Sequence, residues 1–218
     1  MEFDWKYVFE AIPTLLQGAK LTVYIAFFGL VGGFIIGTVA GLAKAYGGAV
    51  SNTLATLYVA LIRGTPIIVQ VMFIYFAIPT GFGIRMDALT ASIIAIAINA
   101  GAYIAEIVRG AFLSVSKGLE EAGLALGLPK WKVLLHVLGP VAVRRMVPAL
   151  GNQCIISLKD TSLFIVIGVG ELTRQGQEIM ATNFRAMEIW ATIAVFYLIM
   201  VGILALVLRL IERRMRIL

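Results

Sequence analysis

Residues 120–140 read EEAGLALGLPKWKVLLHVLGP, a charged stretch punctuated by glycine and proline and set between segments hydrophobic enough to live in lipid. Its own pattern is helical. Leu119, Ala122, Gly123 and Leu126 recur at i, i+3, i+4 and i+7, which places them on one face of a short helix. Pro129 suits the first turn of a second helix, on which Trp131, Leu134, Leu135 and Leu138 repeat the spacing. Pro140 lacks an N–H and crowds the preceding turn, so it is expected to end that helix. A tight Gly127-Leu128-Pro129 turn would join the pair into an angled projection too polar to cross a bilayer. The small face carrying Glu121, Ala122 and Gly123 is expected to let a groove of another protein approach the backbone closely. An amphipathic hairpin lying on the membrane surface is the plainer alternative.

Outward from this stretch the composition is that of an integral membrane protein. Of 218 residues, 61% are hydrophobic and 14% charged, and the mean hydropathy is +0.97. Ordinary soluble domains are nearer half apolar and a quarter charged. Five runs are long enough to cross about 30 Å of hydrocarbon as helices: Leu21–Ala43, Leu54–Ile78, Ala88–Val108, Met146–Val169 and Ile189–Leu208. The fold class expected is all-α and polytopic, one membrane domain over 1–218 with a cytoplasmic loop at about 117–140. Gly29, Gly32, Gly33, Gly37 and Gly41 in the first run suit close helix–helix approach, because small residues are the packing device where lipid removes the hydrophobic effect.

Charge sets the orientation. With the N-terminus outside and the C-terminus cytoplasmic, eleven lysines and arginines fall inside and five outside. The net charge of +6 is explained by this bias, and no nucleic-acid partner is expected. No cleavable signal peptide is expected either, since Glu2, Asp4 and Glu10 precede the first apolar run. Cys154 lies alone in an apolar run and His136 lacks metal-ligand company, so both are read as structural. No catalytic or metal site is expected.

The opening stretch also resembles a family signature. EAGLALG followed after nine residues by VLGP is similar to the EAA motif of binding-protein-dependent ABC importer permeases, E-A-A-x-x-x-G and then I-x-L-P. Glu121, Ala122, Gly127, Val137 and Pro140 occupy the pattern's positions, while Gly123 replaces its second Ala and Gly139 its Leu. IRGTPIIVQVMFIYF, NAGAYIAEIVRGA, KDTSLFIVIGVGELTRQGQ and the ERRM tail look like the polar amino-acid branch of that family. The resemblance implies a bacterial inner-membrane subunit, N-terminus outside, whose loop at Glu121, Ala122, Gly123 and Gly127 couples to a separate ATPase. It also implies partners: two cytoplasmic ATP-binding subunits holding ATP and Mg, a second permease subunit (most simply a copy), and an extracytoplasmic binding protein. The substrate implied is a polar amino acid, glutamine first, with arginine, histidine or glutamate as alternatives. Consistent with an ATPase partner, the chain contains no G-x-x-x-x-G-K-[ST] phosphate loop. The rival from another class is an ion-coupled secondary transporter, which would call for repeated halves that the sequence does not display.

Ionisable and polar groups within spans point to function by default. Asn99, Tyr103 and Glu106 form one stripe on the third run; Gln153, Ser157 and Asp160 repeat the spacing on the fourth, with Lys159 beside them. In the second run Arg63 and Gln70 share a face, and Pro66 between them is expected to break or kink the helix. For a free amino acid, Asp160 would meet the α-ammonium, and Arg63 or the break at Pro66 the α-carboxylate. Gln153 and Asn99 would pair with an amide side chain, and Ser157 is a further substrate-binding candidate. Plainer roles stand beside these: Glu106 pairing with Arg109, Arg63 and Lys159 neutralising Asp160, and Asn99 and Ser157 joining helices. The segment GELTRQGQEIMATNFRAME, with Glu171, Arg174, Glu178, Arg185 and Glu188, is expected outside as a mixed-charge surface, either a solvated loop or a receiver for the binding protein.

Overall fold

The computed structural model describes residues 3–215; Met1, Glu2 and residues 216–218, including Arg216, lie outside the described residues. The described residues are all helical or connecting, with no strand among them. Asp4 accepts the Lys6 N–H and opens α1, Trp5–Tyr46. At about 1.5 Å per residue this 42-residue helix is about twice the hydrocarbon thickness. The apolar run at Leu21–Ala43 is therefore only its inner part, and the helix starts well before it.

α2 (Ala49–Arg63) and α3 (Ile67–Phe82) are the second run, split at Gly64–Pro66 and bent by 102°. The break predicted at Pro66 is thus sharp enough to set α3 roughly at right angles to α2. Four helices remain continuous and apolar enough to span, and the bent pair makes up to five. α4 (Ala88–Leu113) is capped by Asp87, whose carboxylate accepts the Thr90 N–H at 2.9 Å. Of its apolar window 61% is buried, so it is the central post of the fold.

α1 and α4 pack through a glycine groove. Gly29, Gly33, Gly37 and Gly41 recur every fourth residue and meet Ile96, Ala100, Ile104 and Val108, which do the same on α4. Ridges of this spacing interlock, and the missing Cβ atoms let the backbones close up. A Cβ at Gly37 would lie 2.6 Å from Ile104 Cβ and 2.8 Å from the Gly101 carbonyl oxygen, so glycine is required there. The stripe predicted from the sequence is the principal helix contact of the molecule.

α5 (Lys117–Ala125) and α6 (Lys130–Ile167) build the projection and the fourth span together. Pro140 does not end the second helix. The chain widens into a π-helical turn at Val133–Leu138, with the Gly139 N–H reaching back to Leu134 O, and continues as α-helix to Asp160 and as 3₁₀ to Ile167. The wider turn accommodates a proline that has no N–H to contribute, so the projection is continuous with a span. α7 (Leu172–Asn183) lies against α1, and α8 (Ala186–Met215) closes the chain at the periphery, with 11% of its apolar window buried.

Candidate functional site

The polar residues of the spans gather in clusters, each with its own partners. Around the broken helix, Gln70 is buried and its amide donates to Ile62 O at 2.7 Å, Thr65 O at 2.9 Å and Thr65 Oγ1 at 3.0 Å. Those carbonyls were freed by the break, and lipid offers them no water. Gln70 Oε1 in turn accepts from Asn99 Nδ2 at 3.0 Å, which ties the break to α4. One turn along α4, Tyr103 lies under Arg63, whose guanidinium carbon is 5.1 Å from the ring centroid. Arg63 is thereby held at the edge of the break with its charge exposed.

On α6, Gln153 and Ser157 are both buried, and Gln153 Nε2 donates to Ser157 Oγ at 3.3 Å. Asp160 is half-buried a turn further on. Among the described residues neither Arg63 nor Lys159 forms an ion pair with it, so the neutralising role expected of them is not what the structure shows. The Gln153–Ser157 and Gln70–Asn99 clusters are not joined by a hydrogen bond among the described residues. α3 packs against the 3₁₀ end of α6, which brings the break alongside Thr161–Ile167. Glu106 takes the plainer role: it pairs with Arg109 at 2.9 Å and with Lys44 of α1, at the end of the spans nearest the projection.

Gln70 is the residue that periodicity under-read. A glutamine four residues past a proline inside an apolar run is the signal, since the proline frees carbonyls that something nearby must satisfy. The Gln70→Ala variant would leave the Thr65 carbonyl and the Asn99 amide unmatched, and Ile62 O with only the long contacts from Thr65 at 3.4 and 3.5 Å. It is expected to cost about 1–3 kcal/mol per stranded group, read as a clear fall in the thermal unfolding midpoint of the detergent-solubilised protein.

The projection owes its angle to Gly127. Its φ is +76°, the Gly127 N–H donates to Leu124 O at 2.9 Å and the Leu128 N–H to Gly123 O at 3.2 Å. That is the double bond pattern of a left-handed helix stop, which favours glycine because it has no Cβ. Glu121 and Ala122 are exposed. Gly123 is not part of that outer face: it is buried, and a Cβ there would sit 3.0 and 3.1 Å from the Val133 methyls. The small residue serves the joint between α5 and α6 rather than an approaching partner.

Beyond the spans, the segment read as a mixed-charge surface is partly interior. Glu171 is fully buried, accepting the Thr173 and Arg174 N–H groups at 3.0 and 2.8 Å as the cap of α7 and the Tyr197 hydroxyl at 3.2 Å. Burial pushes its carboxyl above the usual carboxylate range, and these bonds pull the other way. Glu188 is buried too, with Arg185 at 3.4 Å and the Asp4 N–H at 3.3 Å. Arg174 and Glu178, paired at 2.7 Å, remain at the surface. A glutamate is an unusual helix cap, which is why Glu171 read as an ordinary surface acid.

A recess of about 650 Å³ lies between α1, α4 and the π-helical turn, and none of the five substrate candidates lines it. No cluster of three or more potential metal ligands is found among the described residues.

An all-α chain with a broken span, a glycine-seamed central pair and a rigid helical projection continuous with a span is built as the membrane subunit of a transport machine. The chain belongs to the family of binding-protein-dependent transport system inner membrane components, whose family model matches residues 29–217. It is a multi-pass inner-membrane permease subunit. It is 59% identical over 219 residues to the glutamine transport system permease protein GlnP of Escherichia coli (strain K12), covering 100% of both chains. A probable amino-acid permease protein, YxeN of Bacillus subtilis (strain 168), is 35% identical over 97% of this chain and 96% of the relative. A chain in the crystal structure of an amino acid ABC transporter with histidines superposes with a TM-score of 0.90 at 34% identity, covering 98% of this chain and 100% of that one.

Proposed function

We propose that this chain is the membrane-spanning permease of an ATP-driven importer for L-glutamine. The observation that carries the substrate is the 59% identity along the full length of both chains to a glutamine permease. In this reading the N-terminus faces outside and the C-terminus the cytoplasm. Two ATP-binding subunits hold ATP and Mg, a second copy of the chain completes the pathway, and a binding protein delivers substrate at the outer face. This chain contributes neither a cofactor nor a catalytic group. Closure of the ATPases would pull on the α5–α6 projection at Glu121 and Ala122. Because the projection runs on into α6 without a flexible linker, that pull reaches the span carrying Gln153, Ser157 and Asp160.

The substrate roles follow from chemistry. Asp160 meets the α-ammonium; Arg63, braced on Tyr103, meets the α-carboxylate. Among the described residues the side-chain carbonyls of Asn99 and Gln153 accept no hydrogen bond, so each offers an acceptor to the substrate amide. Gln153→Glu is expected to shift preference from glutamine toward a cationic amino acid. A charge-assisted bond contributes about 1.5–3 kcal/mol, so the uptake ratio should change by roughly tenfold or more. Competition uptake with labelled arginine checks this, and an unchanged ratio would remove Gln153 from the site.

The deciding experiment is labelled glutamine uptake into proteoliposomes holding this chain, its ATPase and its binding protein. Uptake that requires ATP and is outcompeted only by glutamine supports the proposal. Preference for arginine, histidine or glutamate would change the substrate alone. Uptake driven by an ion gradient without ATP would restore the secondary-transporter reading.

A further inference from the structure

We propose that the 650 Å³ recess is a binding site for an anionic phospholipid of the cytoplasmic leaflet, seated with an acyl chain inside and its phosphate on Arg144. The inference rests on the membrane placement given above and is independent of the substrate. The recess has the size of a ligand site. Its floor is apolar: Thr38 and Leu42 of α1, Val108 and Phe112 of α4, and Met146 of α6 line it. Leu134, Leu135 and Val143 form its outer wall, and Arg144 is the one ionisable group among the lining residues.

Depth and charge select the occupant. Thr38, Leu42, Val108 and Met146 belong to the predicted spans, whereas Arg144 lies just to the cytoplasmic side. The pocket therefore runs from hydrocarbon to headgroup level, which is the shape of a lipid and not of a soluble anion. Arg144 is exposed, and among the described residues its side chain has no hydrogen bond or ion pair. Neighbouring charges reinforce it. Arg145 is adjacent and donates to Ser114 Oγ at 2.9 Å, and exposed Arg213 and Arg214 precede Met215, which also lines the recess. The nearby acid on α8, Glu212, lines a different recess with Arg209. Such basic pockets at the cytoplasmic level of a helix bundle suit anionic headgroups. A second apolar recess, of about 270 Å³ beside Phe27, Leu30 and Cys154, carries no charge and serves as an internal standard.

The test uses the assembled transporter in vesicles doped with a trace of phosphatidylglycerol carrying a photoactivatable acyl chain, or with the matched phosphatidylcholine. Crosslinked peptides are mapped by mass spectrometry. Phosphatidylglycerol is expected to label the segments around 108–112 and 134–146 about fivefold more than phosphatidylcholine, the preference one surface cation confers. Arg144→Glu should erase that preference. Leu135→Trp, at an exposed wall position, should fill the recess and reduce labelling by both lipids. Labelling near Phe27 should be the same for both lipids in every variant. Equal labelling by the two lipids, persistence of the preference in Arg144→Glu, or no labelling because a partner subunit covers the recess would each overturn the proposal.

Discussion

A chain carrying Glu121→Arg is expected to insert and fold as the wild type does, yet to lose ATP-driven uptake by at least about tenfold. Both halves have a physical basis. Glu121 is exposed on α5, and among the described residues its carboxylate has no hydrogen bond or ion pair. Surface changes away from such features usually alter stability by no more than about 0.5 kcal/mol. On the proposed coupling role, reversal places a cation where a partner has evolved to meet an anion. Disrupting a charged contact inside a docked interface costs about 2–5 kcal/mol, and each 1.4 kcal/mol is about tenfold in affinity. Thermal unfolding of the isolated chain, co-purification of the ATPase and uptake are the measurements. Full uptake in a variant that still folds would remove Glu121 from the coupling site. A lowered unfolding temperature would mean that the residue supports the projection itself.

The second large effect lies in the α1–α4 seam. Gly37→Ala is expected to destabilise the protein by about 1–3 kcal/mol, the usual cost of overpacking. Gly37→Leu should abolish assembly, seen as loss of a monodisperse peak after detergent extraction. The obstacle is partly backbone: the new Cβ would meet the Gly101 carbonyl oxygen as well as Ile104. Side-chain rotation relieves neither the carbonyl nor a Cβ–Cβ contact. Gly202→Ala on α8 is the matched control, because a Cβ there meets nothing within 4 Å. That substitution removes a helix-interior glycine, so a gain of up to about 1 kcal/mol is expected. Equal effects at the two positions would show that helix propensity, not packing, governs the seam.

Much of the architecture was legible because lipid simplifies the rules. A backbone in hydrocarbon must satisfy its own hydrogen bonds, so a long apolar run is a helix whatever surrounds it. Hence the runs at Leu21–Ala43, Ala88–Val108 and Ile189–Leu208 all fall within helices, and the glycine repeat foretold a close contact. Pro66 broke its helix as local chemistry requires, whereas Pro140 did not. Both lack an N–H. At Pro140 the chain had room to widen into a π turn between elements that hold it on both sides, Val133 against Gly123 below and buried Leu138 above. Nothing in the local sequence distinguishes the two outcomes.

Sequence by itself determined the class of protein, the number of runs able to span and the turn at Gly127. Each of these depends on one stretch of backbone and its own solvent or torsional requirements. Tertiary structure alone decided which polar residues meet. Gln70 turned from a neighbour of Arg63 into the clasp of the break, Gly123 turned inward to Val133, and Glu171 left the surface to cap α7 beneath Tyr197. Among the described residues Asp160 forms no ion pair with Arg63 or Lys159. The reason is geometric: periodicity fixes the face a residue occupies, but its partner is chosen by how helices far apart in sequence cross.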